Sequence, residues 1–174
     1  MIVPRIYTIA VGAIHVSAWG RTAGAAPLTR GVLLREGFDR ILVIAGKADA
    51  MTAWRSPNSS ERADDDPVHV LHADDGAPFP RRELQRELDW LSTGSRRIVL
   101  CERGESRSPA LAVAFLLQNT GRSLEGSIAA VADGLRDPES GRTRFWSGGE
   151  PLMSVVHHFW TERLLRDAGV DLDP

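Results

Sequence analysis

Residues 97–119 read RIVLCERGESRSPALAVAFLLQN, and they indicate a strand, a loop and a helix in succession. Its opening, RIVL, is a short apolar run of the kind that forms a buried strand. A glycine-containing loop follows, and Ser108 to Asn119 then has the composition of an apolar helix. In α/β sheets, ligands bind beyond the carboxyl ends of strands, where a loop enters a helix. The stretch therefore predicts a ligand site at Cys101.

The loop from Cys101 to Ser108 fits the requirements of phosphoryl transfer through cysteine. The attacking sulfur must be a thiolate, which a helix N-terminus and a nearby cation stabilise. The phosphate oxygens need converging backbone N–H groups, which a glycine loop feeding a helix supplies. An arginine binds two of those oxygens in a bidentate way, as lysine does not. Because Arg107 lies six positions after Cys101, both side chains can enter one cradle, where the Ser108 hydroxyl can donate to the sulfur.

Residues 101–131, CERGESRSPALAVAFLLQNTGRSLEGSIAAV, resemble the signature of the dual-specificity phosphatases, a family of the protein-tyrosine-phosphatase superfamily. That signature is C-x2-G-x-S-R-S, followed by an apolar helix, a glycine-containing turn and a second helix. The resemblance covers most of residues 1–165, and the loop is its specific part. It implies that Cys101 forms a phosphocysteine and that Ser108 assists its hydrolysis. It assigns phosphate binding to the Arg107 guanidinium and to the backbone amides of Glu102, Arg103, Gly104, Glu105, Ser106 and Arg107.

The same family uses an aspartate from a separate loop upstream of the cysteine as general acid and then as general base. Two candidates, Asp74 and Asp75, lie between the VHVL strand and the next helix, 27 and 26 positions before Cys101. We expect Asp75 to be the acid, because it directly precedes the small turn residues Gly76 and Ala77. The alternative is that both aspartates are ordinary turn residues.

Three residues of the loop region depart from the family pattern or alter its charge. Leu100 stands where the family has a histidine, so thiolate stabilisation should be weaker and the enzyme slower. Glu102 and Glu105 bring two carboxylates to the loop, and like-charge repulsion should disfavour polyphosphorylated substrates such as phosphoinositides. The favoured substrates are phosphotyrosine, phosphoserine or phosphothreonine in a protein, or a small phosphomonoester.

The remaining sequence predicts a single domain over residues 1–174, an α/β fold with a mixed, mostly parallel central sheet flanked by helices. The phosphate-binding loop lies between a strand and a helix. Further strands are predicted at Arg5–Ile9, Ala13–Val16, Arg40–Ala45 and Val68–Leu71. Further helices are predicted from Pro27 to Gly37, over Arg82–Leu91, from the cap at Ser123 to Leu135, and from Pro151 onward.

Composition narrows the functional classes. The net charge of −2 argues against a broad nucleic-acid-binding face, and no apolar run is long enough for a membrane span. A single cysteine allows no internal disulfide, which favours a reducing compartment, and we expect a cytoplasmic protein. We also expect a monomer. We expect no cofactor and no metal site, and we interpret His69 and His72 as structural. Two alternatives to an active phosphatase remain: a pseudophosphatase that binds phosphorylated partners without turnover, and a rhodanese-like sulfurtransferase.

Overall fold

The computed structural model describes residues 5–19, 27–46, 54, 66–74, 77–138, 140–143, 156, 161, 164, 165, 168 and 169. The predicted final helix from Pro151 lies almost wholly outside the described residues. The described strands are β1 (Tyr7–Ile9), β2 (Ile14–Ala18), β3 (Arg40–Ala45), β4 (Val68–His72) and β5 (Arg97–Cys101). The described helices are α1 (Arg30–Arg35), α2 (Arg81–Ser92), α3 (Arg107–Asn119) and α4 (Leu124–Gly134).

The five strands form one sheet in the order β1-β2-β5-β3-β4. Only β1 runs antiparallel to its neighbour, and the other pairings are parallel. The predicted mixed, mostly parallel sheet is therefore confirmed. Because β5 lies in the middle, the residue at its end lies between the ends of β2 and β3, in the crevice where parallel sheets bind ligands.

Side chains of β5 alternate between two apolar layers. Val99 and Cys101 face the larger core, which is formed with α2, α3 and α4. Ile98 and Leu100 face a second core, which is formed with α1 and the residues around it. Burial on both faces explains why β5 reads as an uninterrupted apolar run. Among the described residues, no helix combines the length and the apolarity needed to cross a bilayer.

The boundaries of several elements differ from those predicted. Helix α1 begins at Arg30 rather than at Pro27, because the Thr29 hydroxyl accepts a hydrogen bond from the Val32 N–H and caps the helix. Gly37 ends this helix region with φ of +83°, as the sequence predicted. Strand β2 continues to Ala18, two residues beyond the predicted end at Val16.

Glu87 is a buried carboxylate that ties α2 to β4, with 1% of its surface exposed. His69 Nδ1 lies 2.6 Å from its Oε2, and Arg86 donates to its Oε1 at 2.7 Å. The His69 ring also stacks on Trp90 with centroids 3.7 Å apart, which fits the structural role predicted for it. Burial raises the pKa of Glu87, but the hydrogen bonds from His69 and Arg86 outweigh burial and hold the pKa below its ordinary value.

Replacing Glu87 with glutamine is expected to lower the free energy of unfolding at pH 7 by roughly 1–3 kcal/mol. Because the pKa of Glu87 is depressed in the folded state, its ionised form stabilises the fold above the ordinary carboxyl range. That stabilisation is lost as the pH falls through the lowered pKa, so the difference between wild type and Glu87→Gln should shrink in acid. Urea unfolding between pH 7 and pH 3 measures this difference in free energy of unfolding.

Glu83→Gln, on the exposed side of the same helix, is the control and should lower the free energy of unfolding by at most about 1 kcal/mol. A difference that stays constant with pH would contradict this assignment.

Candidate active site

Cys101 is the last residue of β5 and is 1% exposed. Two hydrogen-bonding groups meet its sulfur: the backbone N–H of Gly104 and the hydroxyl of Ser108, each 3.2 Å away. A thiolate can only accept hydrogen bonds, so both groups would stabilise the ionised sulfur. The structure therefore places Ser108 against the sulfur, where the sequence expected its hydroxyl.

Gly104 allows the loop to fold back over the end of β2. Its φ is +71°, a region that favours glycine. A Cβ at this position would lie 3.1 Å from the backbone nitrogen of Ala18 and 3.1 Å from the carbonyl carbon of Ser17. A larger residue would thus be strained and would also push the loop off β2. The position of the Gly104 N–H against the sulfur depends on this close contact.

Arg107 is the first residue of α3, and its guanidinium is almost fully buried, with 4% of the residue exposed. Its Nη1 donates to the carbonyl oxygen of Ala73 at 2.9 Å, and its Nη2 lies 3.9 Å from Glu102 Oε2. Ala73 directly follows β4 and precedes Asp74. The arginine therefore joins the cysteine loop to the segment that carries the candidate general acids, a contact that the sequence did not predict.

Of the two candidate general acids, only Asp74 lies among the described residues. Asp75, the residue expected to be the acid, lies outside the described residues together with Gly76. Asp74 is exposed, and its carboxylate occupies the space above Gly46 at the end of β3: a Cβ at Gly46 would lie 2.6 Å from Asp74 Oδ1. The hydrogen bond from Arg107 to Ala73 brings this segment to the same edge of the sheet as Cys101.

The residues that depart from the family pattern lie in different environments, one buried and the others exposed. Leu100 is fully buried in the second core, on the face of β5 opposite to Cys101. An apolar side chain suits that environment, which holds Leu33 and Phe38 among its members. Glu102, Arg103 and Glu105 are all exposed, so the loop presents two carboxylates and one guanidinium to solvent.

Comparison with known proteins gives structural matches only. No protein-family model matches the sequence, and no curated protein matches it. PTPMT1 matches with 19% identity and a TM-score of 0.64, over 95% of this chain and 99% of that chain; it has also been solved in complex with PI(5)P. A mouse putative dual specificity phosphatase complexed with zinc tungstate matches with 20% identity and a TM-score of 0.63, over 99% and 96% of the two chains.

A human tyrosine phosphatase-like serine/threonine/tyrosine-interacting protein matches with 15% identity and a TM-score of 0.60, over 91% of this chain and 97% of that chain. The sheet order, the strand–loop–helix around Cys101 and these matches define an α/β fold of the protein-tyrosine-phosphatase type. Within that type, the chain has the fold of the dual-specificity phosphatases.

Proposed function

We propose that this protein hydrolyses phosphate monoesters through a phosphocysteine on Cys101. The proposal rests on the Gly104 N–H and the Ser108 hydroxyl, which both converge on the Cys101 sulfur. Arg107, with a buried guanidinium, is the first residue of the helix that follows. The fold supports the same class of reaction. This environment suits a thiolate that attacks an anionic group.

The first step transfers the phosphoryl group to sulfur. The Cys101 thiolate attacks phosphorus, the S–P bond forms, and the P–O bond to the leaving group breaks. Asp75 protonates the leaving oxygen. The Arg107 guanidinium and the amides of the loop residues 102–107 stabilise the charge on the equatorial oxygens.

The second step releases phosphate. Asp75, now ionised, takes a proton from a water molecule as that water attacks phosphorus. The S–P bond breaks and the thiolate is regenerated. Ser108 donates a hydrogen bond to the departing sulfur, and its position 3.2 Å from Cys101 Sγ supports this role.

The proposed substrates are phosphotyrosine, and also phosphoserine or phosphothreonine, in a protein, or a small phosphomonoester. The exposed carboxylates of Glu102 and Glu105 lie in the loop itself and repel densely charged anions. PTPMT1 shares the fold and binds PI(5)P. For this chain we propose that such phosphoinositides are poorer substrates than monoesters.

Hydrolysis of para-nitrophenyl phosphate by the wild type and two aspartate variants tests the proposal. Asp75→Asn is expected to lower kcat by about 10²–10³-fold, because no group then protonates the leaving oxygen. Asp74→Asn is the matched control and should change kcat less than about threefold, since its carboxylate packs at Gly46. Full loss in Asp74→Asn with an active Asp75→Asn would reverse the assignment. A wild type without turnover would refute the phosphatase proposal.

A pseudophosphatase is the second candidate function. It is favoured by Leu100, which stands where the dual-specificity phosphatases have a histidine. A buried leucine supplies no hydrogen bond to the cysteine loop. In that case the cradle would bind tungstate or a phosphopeptide with no measurable release of phosphate. Calorimetric titration with both ligands, run beside the turnover assay, separates the two functions.

A further inference from the structure

Trp19 lies beside the end of the strand that carries the proposed nucleophile. Its backbone N–H donates to the carbonyl oxygen of Cys101 at 3.0 Å. This bond continues the parallel pairing of β2 with β5 beyond the Ala18–Cys101 pair. Its indole Nε1–H donates to the carbonyl oxygen of Ile44 on β3, at 3.3 Å. Because β5 lies between β2 and β3, the Trp19 side chain crosses the end of β5 to make that second bond.

The Ile44 carbonyl oxygen lies just beyond the last pair that joins β3 to the central strand β5. Pairing of β3 with β5 ends at Val43 and Leu100, one residue before Ile44. Cys101, the next residue of β5, still pairs with Ala18 of β2, and the cysteine loop begins after it. Buried backbone carbonyls are almost always hydrogen-bonded. The Trp19 indole supplies a donor to β3 at the level where strand pairing with β5 has stopped.

The same end of β2 contacts the cysteine loop itself. Gly104 packs against the backbone of Ser17 and Ala18, the two residues before Trp19. The Trp19 ring is half-buried and packs against the second core, which includes Leu100. Leu100 has no polar atom in its side chain, so it can fix the loop only through packing. Trp19 bonds Cys101 through its backbone N–H, and through its indole it reaches β3 on the other side of β5.

We infer that Trp19 is a positioning residue that holds Cys101 for attack on phosphorus, an inference that rests on the proposed phosphatase function. Trp19 does not touch the reacting atoms. Without the indole bond to Ile44, nothing joins Trp19 to β3 across the end of β5, and Cys101 keeps only its pairing with β2. A small displacement of the sulfur from the Gly104 N–H and the line of attack then slows the chemical step.

Trp19→Phe tests the inference, with Trp90→Phe as a matched control. Trp90 also has a buried indole nitrogen, but that nitrogen has no hydrogen-bond partner among the described residues. Trp19→Phe is expected to lower kcat for para-nitrophenyl phosphate by about tenfold or more. The inhibition constant for tungstate should change less than about threefold, because the loop amides and Arg107 remain. Trp90→Phe should leave both values near those of the wild type.

Hydrogen–deuterium exchange of residues 98–106 provides a readout that does not need turnover. Trp19→Phe should speed exchange there by about tenfold, and Trp90→Phe should not. If the wild type turns over and the two variants match in kcat, the inference is wrong and the phosphatase proposal stands. If the wild type is inactive, the phosphatase proposal fails. Faster exchange in Trp19→Phe alone would then still support Trp19 as a residue that positions Cys101. Equal exchange in the two variants would overturn that inference.

A folding defect is separable from a positioning role. Both variants are compared below their midpoints of thermal unfolding, where a purely structural effect leaves kcat unchanged. If Trp19→Phe does not fold, replacement of Trp19 by 3-benzothienylalanine keeps the ring volume and removes only the N–H. The same loss of kcat and the same faster exchange are then expected, and wild-type values for both would overturn the inference.

Discussion

Cys101→Ser is expected to reduce kcat for para-nitrophenyl phosphate by about 10⁴-fold or more. A serine hydroxyl is not ionised at neutral pH, so the position loses its nucleophile even though the side chain keeps nearly the same size. The groups around the sulfur are arranged for an anion: the Gly104 N–H and the Ser108 hydroxyl both lie 3.2 Å from it. Steady-state kinetics of the wild type and the variant measure the effect directly.

Binding of an oxyanion should survive this substitution. The loop amides and Arg107, which bind phosphate in the proposed mechanism, are unchanged in Cys101→Ser. Calorimetric titration with tungstate is expected to give a dissociation constant within about tenfold of the wild-type value. Full activity in the variant would exclude Cys101 as nucleophile. Loss of tungstate binding with an intact fold would instead mean that the loop depends on the sulfur for its shape.

The architecture around Cys101 was predictable because local signals agree there. The apolar run at β5, the glycine in the loop and the apolar α3 each indicate the same strand–loop–helix unit. The cap at Ser123 was also readable, and its hydroxyl accepts from the Gly126 N–H as a helix cap should. The start of α1 was misplaced, because Pro27 and Thr29 are both common at helix N-termini and only the hydrogen bond of Thr29 decides between them.

Contacts between distant segments were not predictable from local patterns. The hydrogen bond from Arg107 to the Ala73 carbonyl joins residues 34 positions apart, and it involves a backbone oxygen that any residue would supply. The bond from Trp19 to Ile44 depends on the strand order, in which β5 separates two strands that precede it in the chain. The spacing of residues in the sequence does not indicate such long-range hydrogen bonds, so they become visible only in the folded sheet.

Leu100 illustrates how the structure changes the meaning of a sequence departure. By resemblance, leucine in place of histidine indicates a weakened loop. In the structure, Leu100 packs in an apolar layer where an imidazole without a partner would be costly. The groups that meet the sulfur come from Gly104 and Ser108, on the other side of β5. In the proposed mechanism, binding and catalysis by the loop therefore depend chiefly on those groups and on Arg107.

Arg107→Lys is expected to lower kcat/KM by about 10²–10³-fold, although the charge is conserved. The guanidinium has several nitrogens in one plane, and in this structure Nη1 already donates to the Ala73 carbonyl. In the proposed mechanism the planar guanidinium faces the phosphate, while the bond to Ala73 holds its plane in place. A lysine has a single nitrogen, so it cannot present the same planar fork to the phosphate while it holds Ala73.

The substitution Arg103→Lys is the matched control, because Arg103 lies in the same loop with an exposed side chain. It keeps the backbone amide and should change kcat/KM less than about threefold. Both variants are assayed with para-nitrophenyl phosphate below their midpoints of thermal unfolding, because burial of a lysine at position 107 also costs stability. Wild-type kcat/KM in both variants would contradict the prediction and would show that a positive charge at position 107 is sufficient. A selective loss in Arg107→Lys would establish that phosphate is bound by a buried, oriented guanidinium.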